Sequence, residues 1–421
     1  MMSRPDKRPE GPARYLKADW VLPPEDEPIR DGAVLIEAGV IRAVGAHDEL
    51  AHLAATAEVT RFDGCVIIPG LVNAHTHLSL TALLGVAPPS EFTEWLDVVV
   101  PRIKEMDAET LRRSAAAGIR RMLRAGITTV GDVTYSDESV EPASAAGMSG
   151  VFFREVLGVR GDEVEPRLSD TGFFDAVARL SGKTEAGHPR VRLGISAHAP
   201  YSTGPGAIRA CHAIAAERSL PLMMHVAESP AEETLMLRGE GRLSSLAHRL
   251  APDLEPPGTG TVTYLDSLGA LDGLIAVHAV HVSSAEARLL ADKARGVVLC
   301  PRSNIFLECG EAPVATYDEA GVAMALGTDS AASNRDFDLF AEARALLSLH
   351  AGLSPGRLLR MLTSEGAKVI GIEGRNTLRP GTGADLAVVA TGPTEDPVRD
   401  LVLNARARDV RMVVAGGRVV A

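Results

Sequence analysis

Two rhythms of apolar residues alternate along the chain. Between about Pro69 and Gly371, short strand-length apolar runs are separated by helix-length stretches, whereas both ends carry apolar runs broken only by turn residues. Eight runs of the middle predict strands: Leu71–His75, Thr128–Gly131, Val151–Val156, Val191–Ala197, Leu222–Val226, Leu274–Ala279, Gly296–Cys300 and Val322–Gly327. Between the first two, Ala108–Ala125 predicts a helix, with Asp107 as N-cap and Gly126 just past its end. Eight strand–helix alternations predict an α/β fold, a (β/α)₈ TIM-like barrel rather than an open sheet. Such a barrel carries its chemistry at the C-terminal ends of its strands, so polar residues should gather where each run stops.

The two ends read as β structure. Gly32–Ile36 and Val40–Gly45 flank a turn containing Gly39, a hairpin pattern. Ala384–Val389 predicts a further strand, and Met412–Val420 a hairpin around Gly416-Gly417. Neither end is large enough to bury much surface alone, so the economical expectation is one composite β-sandwich. The expected organisation is a disordered stretch over 1–12, a sandwich from 13–68 plus 372–421, and the barrel over 69–371.

Composition narrows the partners. Of 421 residues, 43 are basic and 55 acidic, a net charge of −12, so an electropositive nucleic-acid surface is not expected. The basic stretch within Arg112–Arg124 falls on a predicted helix and reads as a solvated face. Cys65, Cys211, Cys300 and Cys309 form no C-x-x-C pair and read as reduced thiols. No apolar run reaches the ~18 residues of a membrane span, and Met1–Arg14 lacks the apolar segment of a signal peptide. The expectation is a cytoplasmic protein with a small-molecule partner and no membrane association.

Polar residues do gather at the strand ends. The first run closes in His75-Thr76-His77, whose imidazoles, two residues apart on a strand, can reach one metal. Alone, such a pair is no more than two exposed loop histidines. The fifth run ends at His225 with Glu228 three residues on, the sixth at His278-Ala279-Val280-His281, and the eighth at Thr328-Asp329. Each could be an ordinary polar strand end. Together, four strands ending in metal-capable groups point to a metal site.

These motifs, with Pro69–His77 and Leu326–Ser330, resemble the cytosine/adenosine deaminase-like branch of the amidohydrolase superfamily over residues 13–421. The resemblance implies that His75, His77, His225 and Asp329 hold one divalent metal, zinc being the expected ion and Fe2+ or Mn2+ also compatible. It implies Asp329 as the base that takes a proton from water, Glu228 as the proton shuttle to the ring nitrogen, and His278 as the group orienting the attacking oxygen. His281 is expected to be structural. Two-metal relatives carry a lysine on the fourth strand; Val191–Ala197 has none, which favours one metal. A homodimer is the family's expectation.

Substrate contacts are read from the remaining strand ends. His198, at the end of the fourth run, matches a substrate-facing histidine of relatives, against an ordinary turn set by Pro200. Glu155 on the third run is an extra metal ligand, a substrate contact or a buried structural carboxylate. Trp95 either closes over the pocket or anchors its loop. Arg302, in Cys300-Pro301-Arg302-Ser303-Asn304, either grips a substrate carboxylate or pairs with a nearby acid. That run resembles aminofutalosine deaminases, whose substrate carries a benzoate, so the resemblance implies release of ammonia from aminofutalosine. Methylthioadenosine/S-adenosylhomocysteine deaminases are the alternative, although their Pro-x-Glu reads Pro101-Arg102-Ile103 here. Chlorohydrolase or ring-amide hydrolysis is a third reading.

Overall fold

The computed structural model describes residues 13–169, 172–181 and 190–421, so the expectation for 1–12 lies outside the described residues. Eight strands pair in chain order, each parallel to the next: Leu71–Thr76, Ile127–Thr134, Ser149–Val156, Val191–Ala197, Leu222–Val226, Leu274–His278, Gly296–Leu299 and Met324–Leu326. Thr76 and Asp329 form a parallel bridge, and the amide of Asp329 donates to the His75 carbonyl at 3.0 Å, closing the eighth strand on the first. This is the (β/α)₈ barrel that the alternation predicts.

Alternate residues of each strand serve two cores. Val151, Phe153, Met223, Ile275, Val277 and Val298 fill the lumen. Phe152, Val156, Ile195 and Leu222 face outward against the helices. Gly194 leaves room for this lumen packing, because a Cβ there would lie 2.4 Å from the Phe153 ring. The helix Ala108–Arg124 shows why the pattern is readable. The Asp107 carboxylate accepts from the Thr110 amide, and Ala115, Ile119, Met122 and Leu123 form the buried stripe.

Both chain ends enter one mixed eight-stranded sheet. Its principal order is Arg418–Val419, Val410–Ala415, Leu386–Ala390, Glu58–Pro69, Arg14–Val21, Gly32–Glu37 and Val40–Ala46, with Ile29–Arg30 beside Arg14–Val21. The antiparallel pairing of Leu386–Ala390 with Glu58–Pro69 joins the two ends. The sheet curls, since the amide of Ile41 donates to Thr382 O and that of Ala384 to Gly39 O, and it encloses Leu16, Val34, Ile67, Leu386, Val388 and Val414. Two hairpins turn through paired left-handed residues, Ala38-Gly39 (φ 51° and 77°) and Gly416-Gly417 (φ 60° and 75°), as two-residue turns of a twisted ribbon require. The four cysteines are buried and free. Among the described residues, no helix is long and apolar enough to cross a membrane.

Candidate active site

Barrel closure brings distant strand ends into one buried cluster. One donor atom each from His75, His225, His278 and Asp329 lies within 4.8 Å of the others. His77 belongs to the same group, with its Nε2 3.6 Å from Asp329 Oδ1 and its ring stacked on His225 at 5.7 Å. The first strand's pairing slips between Asn73 and Thr76, an irregularity of the kind that re-aims side chains beside active sites. Glu228 completes the wall, its Oε1 3.4 Å from His278 Nε2.

Hydrogen bonds fix which face of each ring looks inward. His225 Nδ1 donates to the His198 carbonyl (2.9 Å), His278 Nδ1 to Asn304 Oδ1 (2.9 Å), and His75 Nδ1 contacts the Met223 sulfur at 3.4 Å. Each therefore turns an Nε2 lone pair into the cluster. The Nε2 atoms of His75 and His278 are buried and have no hydrogen-bond partner among the described residues. Burial holds both imidazoles down at about 4 and also lowers His77 and His225, so all four are neutral near pH 7. The His75 lone pair then faces Asp329 Oδ1 at 3.4 Å, acceptor against acceptor. A cation between them resolves the conflict, and three or four neutral nitrogens with one carboxylate are a donor set for a divalent metal.

The two carboxyls differ in state. Burial raises Asp329, but a hydrogen bond from His75 and the charge the imidazoles carry when protonated outweigh it, so its carboxyl loses its proton well below the ordinary range, before the rings become neutral. Its Oδ2 accepts from Ser303 (2.6 Å) and Ser333 (2.8 Å). Glu228 is pushed well above its ordinary value by burial, then by Asp329 and Glu232, which leaves it a proton to give. The fully buried Glu232 braces that loop, accepting from the amides of Ala227 and Glu228 and from Thr261 Oγ1, each at 2.9 Å. Backbone strain concentrates here: Ala227, His278, Ala279 and Asp329 have φ of 50°, 68°, 46° and 58°.

The other sequence-predicted residues fall into different settings. His198 lies beside the cluster, its ring 5.0 Å from His225 and its Nδ1 paired with Ser202 Oγ. Trp95 donates from its indole nitrogen to Ala332 O at 2.9 Å and stacks on Phe92, so it anchors the helix Phe92–Lys104. Glu155 is buried near the mouth of the barrel. His281 is bonded to Cys309 O at 2.8 Å, a structural tie. For Arg302, the contacts match the second alternative, pairing with a nearby acid. Its guanidinium pairs with Asp336 (2.6 Å) and faces the fully buried Glu342 at 3.7 Å, while its amide donates to Glu342 (3.0 Å). These acids of the fold already engage its guanidinium. Sequence reasoning missed Glu232, Asn304, Ser303 and Ser333; only Asn304 and Ser303, inside the Cys300–Asn304 run, stood in a motif that could have flagged them.

Fold and site together define a metal-dependent hydrolase, and the sequence model of the amidohydrolase family matches residues 66–420. The chain belongs to the amidohydrolase family. It is 32% identical over 415 residues to the 5-methylthioadenosine/S-adenosylhomocysteine deaminase of Syntrophobacter fumaroxidans, covering 95% of this chain and 90% of that one. It is 33% identical to the Halobacterium salinarum protein of the same name, covering 94% and 89%. A zinc-bound adenosine deaminase from Xanthomonas campestris superposes with a TM-score of 0.81 at 25% identity, covering 96% and 92%. Helicobacter pylori aminofutalosine deaminase shares the fold at a TM-score of 0.83 and 21% identity, over 97% and 100%.

Proposed function

We propose that the chain is a hydrolytic deaminase of amino-purine nucleosides, using one zinc ion held by His75, His77, His225 and Asp329. The observation that carries this is the opposed pair of lone pairs, His75 Nε2 and Asp329 Oδ1 at 3.4 Å, beside an uncharged Glu228. Bound there, the cation lowers the pKa of a water molecule toward neutrality. Asp329, ionised and held by Ser303 and Ser333, takes the water's proton. Glu228 gives its proton to the ring nitrogen next to the amino-bearing carbon, which offsets the charge that attack creates there. The proton held by Asp329 then leaves with the amino group as ammonia, the hydroxyl formed by attack returns its proton to Glu228, and a carbonyl remains. His278, fixed by Asn304, orients the attacking oxygen opposite Glu228.

For the substrate, the relatives named above favour a nucleoside of the methylthioadenosine or S-adenosylhomocysteine type. Arg302, the residue that would favour the carboxylate of aminofutalosine, is paired with Asp336. Ammonia release from adenosine, methylthioadenosine, S-adenosylhomocysteine, aminofutalosine and a chlorotriazine tests the reading. Asp329→Asn and Glu228→Gln should each lower kcat by about 10²–10⁴ while the protein stays folded. Full turnover by either variant, or chloride release without ammonia, would sink the mechanism.

A further inference from the structure

Beyond the metal cluster, one buried carboxyl has no assigned work. Glu155 is 4% exposed, and its Oε1 is sealed from solvent with no hydrogen-bond partner among the described residues. The lumen-filling residues Val151 and Phe153 precede it at two-residue spacing, so Glu155 continues the inward face of its strand at the barrel mouth. Its register partner on the fourth strand is Ser196, also buried, also inward-facing beyond Gly194, and with an Oγ that lacks a partner among the described residues. Two positions further along that strand stands His198, beside His225. A buried carboxyl and hydroxyl left unmatched, side by side, are costly unless something donates to them.

The surroundings limit what that donor is. Burial, eased by Arg154 and reinforced by Glu138, raises the Glu155 carboxyl to about 8. Its charge is felt at the phenols of Tyr135 and Tyr201, and Tyr201 also feels Glu228. Tyr201 is thus near both the proton donor and Glu155, with Phe92 and Leu307 in the same apolar cluster.

We propose that Glu155 is the specificity-determining residue that accepts hydrogen bonds from the sugar hydroxyls of the nucleoside, with Ser196 beside it. The inference rests on the nucleoside reading of the site. A sugar diol supplies two neutral donors, which satisfies the carboxyl without burying a second charge. The rival account is a buried water bridging Glu155 and Ser196.

The test compares adenosine with 2′-deoxy- and 3′-deoxyadenosine on wild type, Glu155→Gln and Glu155→Leu, after metal content and melting temperature are matched. Wild type should prefer the ribonucleoside by 10²-fold or more in kcat/KM, since a site built for a hydroxyl strongly rejects its absence. Glu155→Gln should shrink that preference at least tenfold, chiefly through KM. Equilibrium binding of inosine against 2′-deoxyinosine, which needs no turnover, should show the same loss. Equal weakening toward ribo- and deoxyribonucleosides would mean a structural water and overturn the inference. A variant that lost only its preference for S-adenosylhomocysteine over methylthioadenosine would reassign the carboxyl to the tail ammonium and overturn it too. Absence of ammonia from every nucleoside with wild type, together with intact hydroxyl-dependent inosine binding, would instead defeat the deaminase reading alone.

Discussion

Glu232→Ala offers the sharpest separation of support from chemistry, because Glu232 touches no reacting atom. Its carboxylate binds two backbone amides and one hydroxyl, each at 2.9 Å, in a fully buried setting. Removing it strands the Ala227 and Glu228 amides, each costing about 1–3 kcal/mol, and releases a backbone held at φ 50°. Partial relaxation leaves a net loss of about 3–5 kcal/mol, or a melting temperature lower by about 3–6 °C. The freed Glu228 backbone can drift, and a shift of about 1 Å at a proton donor lowers kcat about 100-fold. Thr261→Val is the control. It deletes one of the three donors and should cost about 1 kcal/mol with kcat within threefold. Thermal melts and steady-state ammonia release on the zinc-loaded protein read both effects. If Glu232→Ala melts within 1 °C of wild type, or keeps half its kcat, the bracing role is wrong.

Chelation should remove one equivalent of metal with all activity, and zinc should restore it; elemental analysis beside the assay checks the stoichiometry. The apo protein should then lose stability as pH falls from about 6.5 toward 4. His75 and His278 sit at about 4 in the fold, so the unfolded chain binds more protons across that window and stability rises with pH. A pH-independent apo melting temperature there contradicts the neutral-imidazole assignment. Arg302→Ala should destabilise by about 2 kcal/mol, since it leaves Glu342 buried beside Asp336 without its cation. It should change KM for aminofutalosine and adenosine alike; a selective rise for aminofutalosine would restore Arg302 as a carboxylate receptor.

The same contrast between near and distant partners explains what could be read in advance. All eight barrel strands were legible because inward and outward cores impose one apolar run each. Boundaries moved at several strands: Thr128–Gly131 widens to Ile127–Thr134, and Val322–Gly327 narrows to Met324–Leu326 while Gly327 donates to Leu299 O. Histidines and acids at strand ends were legible because the barrel fixes where a strand end points. Arg302 was not, because its partners lie 34 and 40 residues away, on the loop and helix that follow the eighth strand, and an arginine seeking substrate reads the same as one already paired. Trp95 and Ala332 are 237 residues apart.

Glu232 shows a deeper limit. In the first turn of the helix Pro230–Arg238, an acid is what the helix dipole favours, so local physics already explains it and conceals its second task. The left-handed backbone of Ala227, His278 and Asp329 is invisible for the opposite reason: local physics disfavours it. Such conformations persist only where surrounding contacts impose them, here the Glu232 carboxylate under Ala227, Asn304 on His278 and the two serines on Asp329. Sequence periodicity therefore locates the ligands, whereas the residues that aim them act through pairings with no period at all. Variation in activity among chains with the same histidines and acids should accordingly arise in Glu232, Ser303, Asn304 and Ser333.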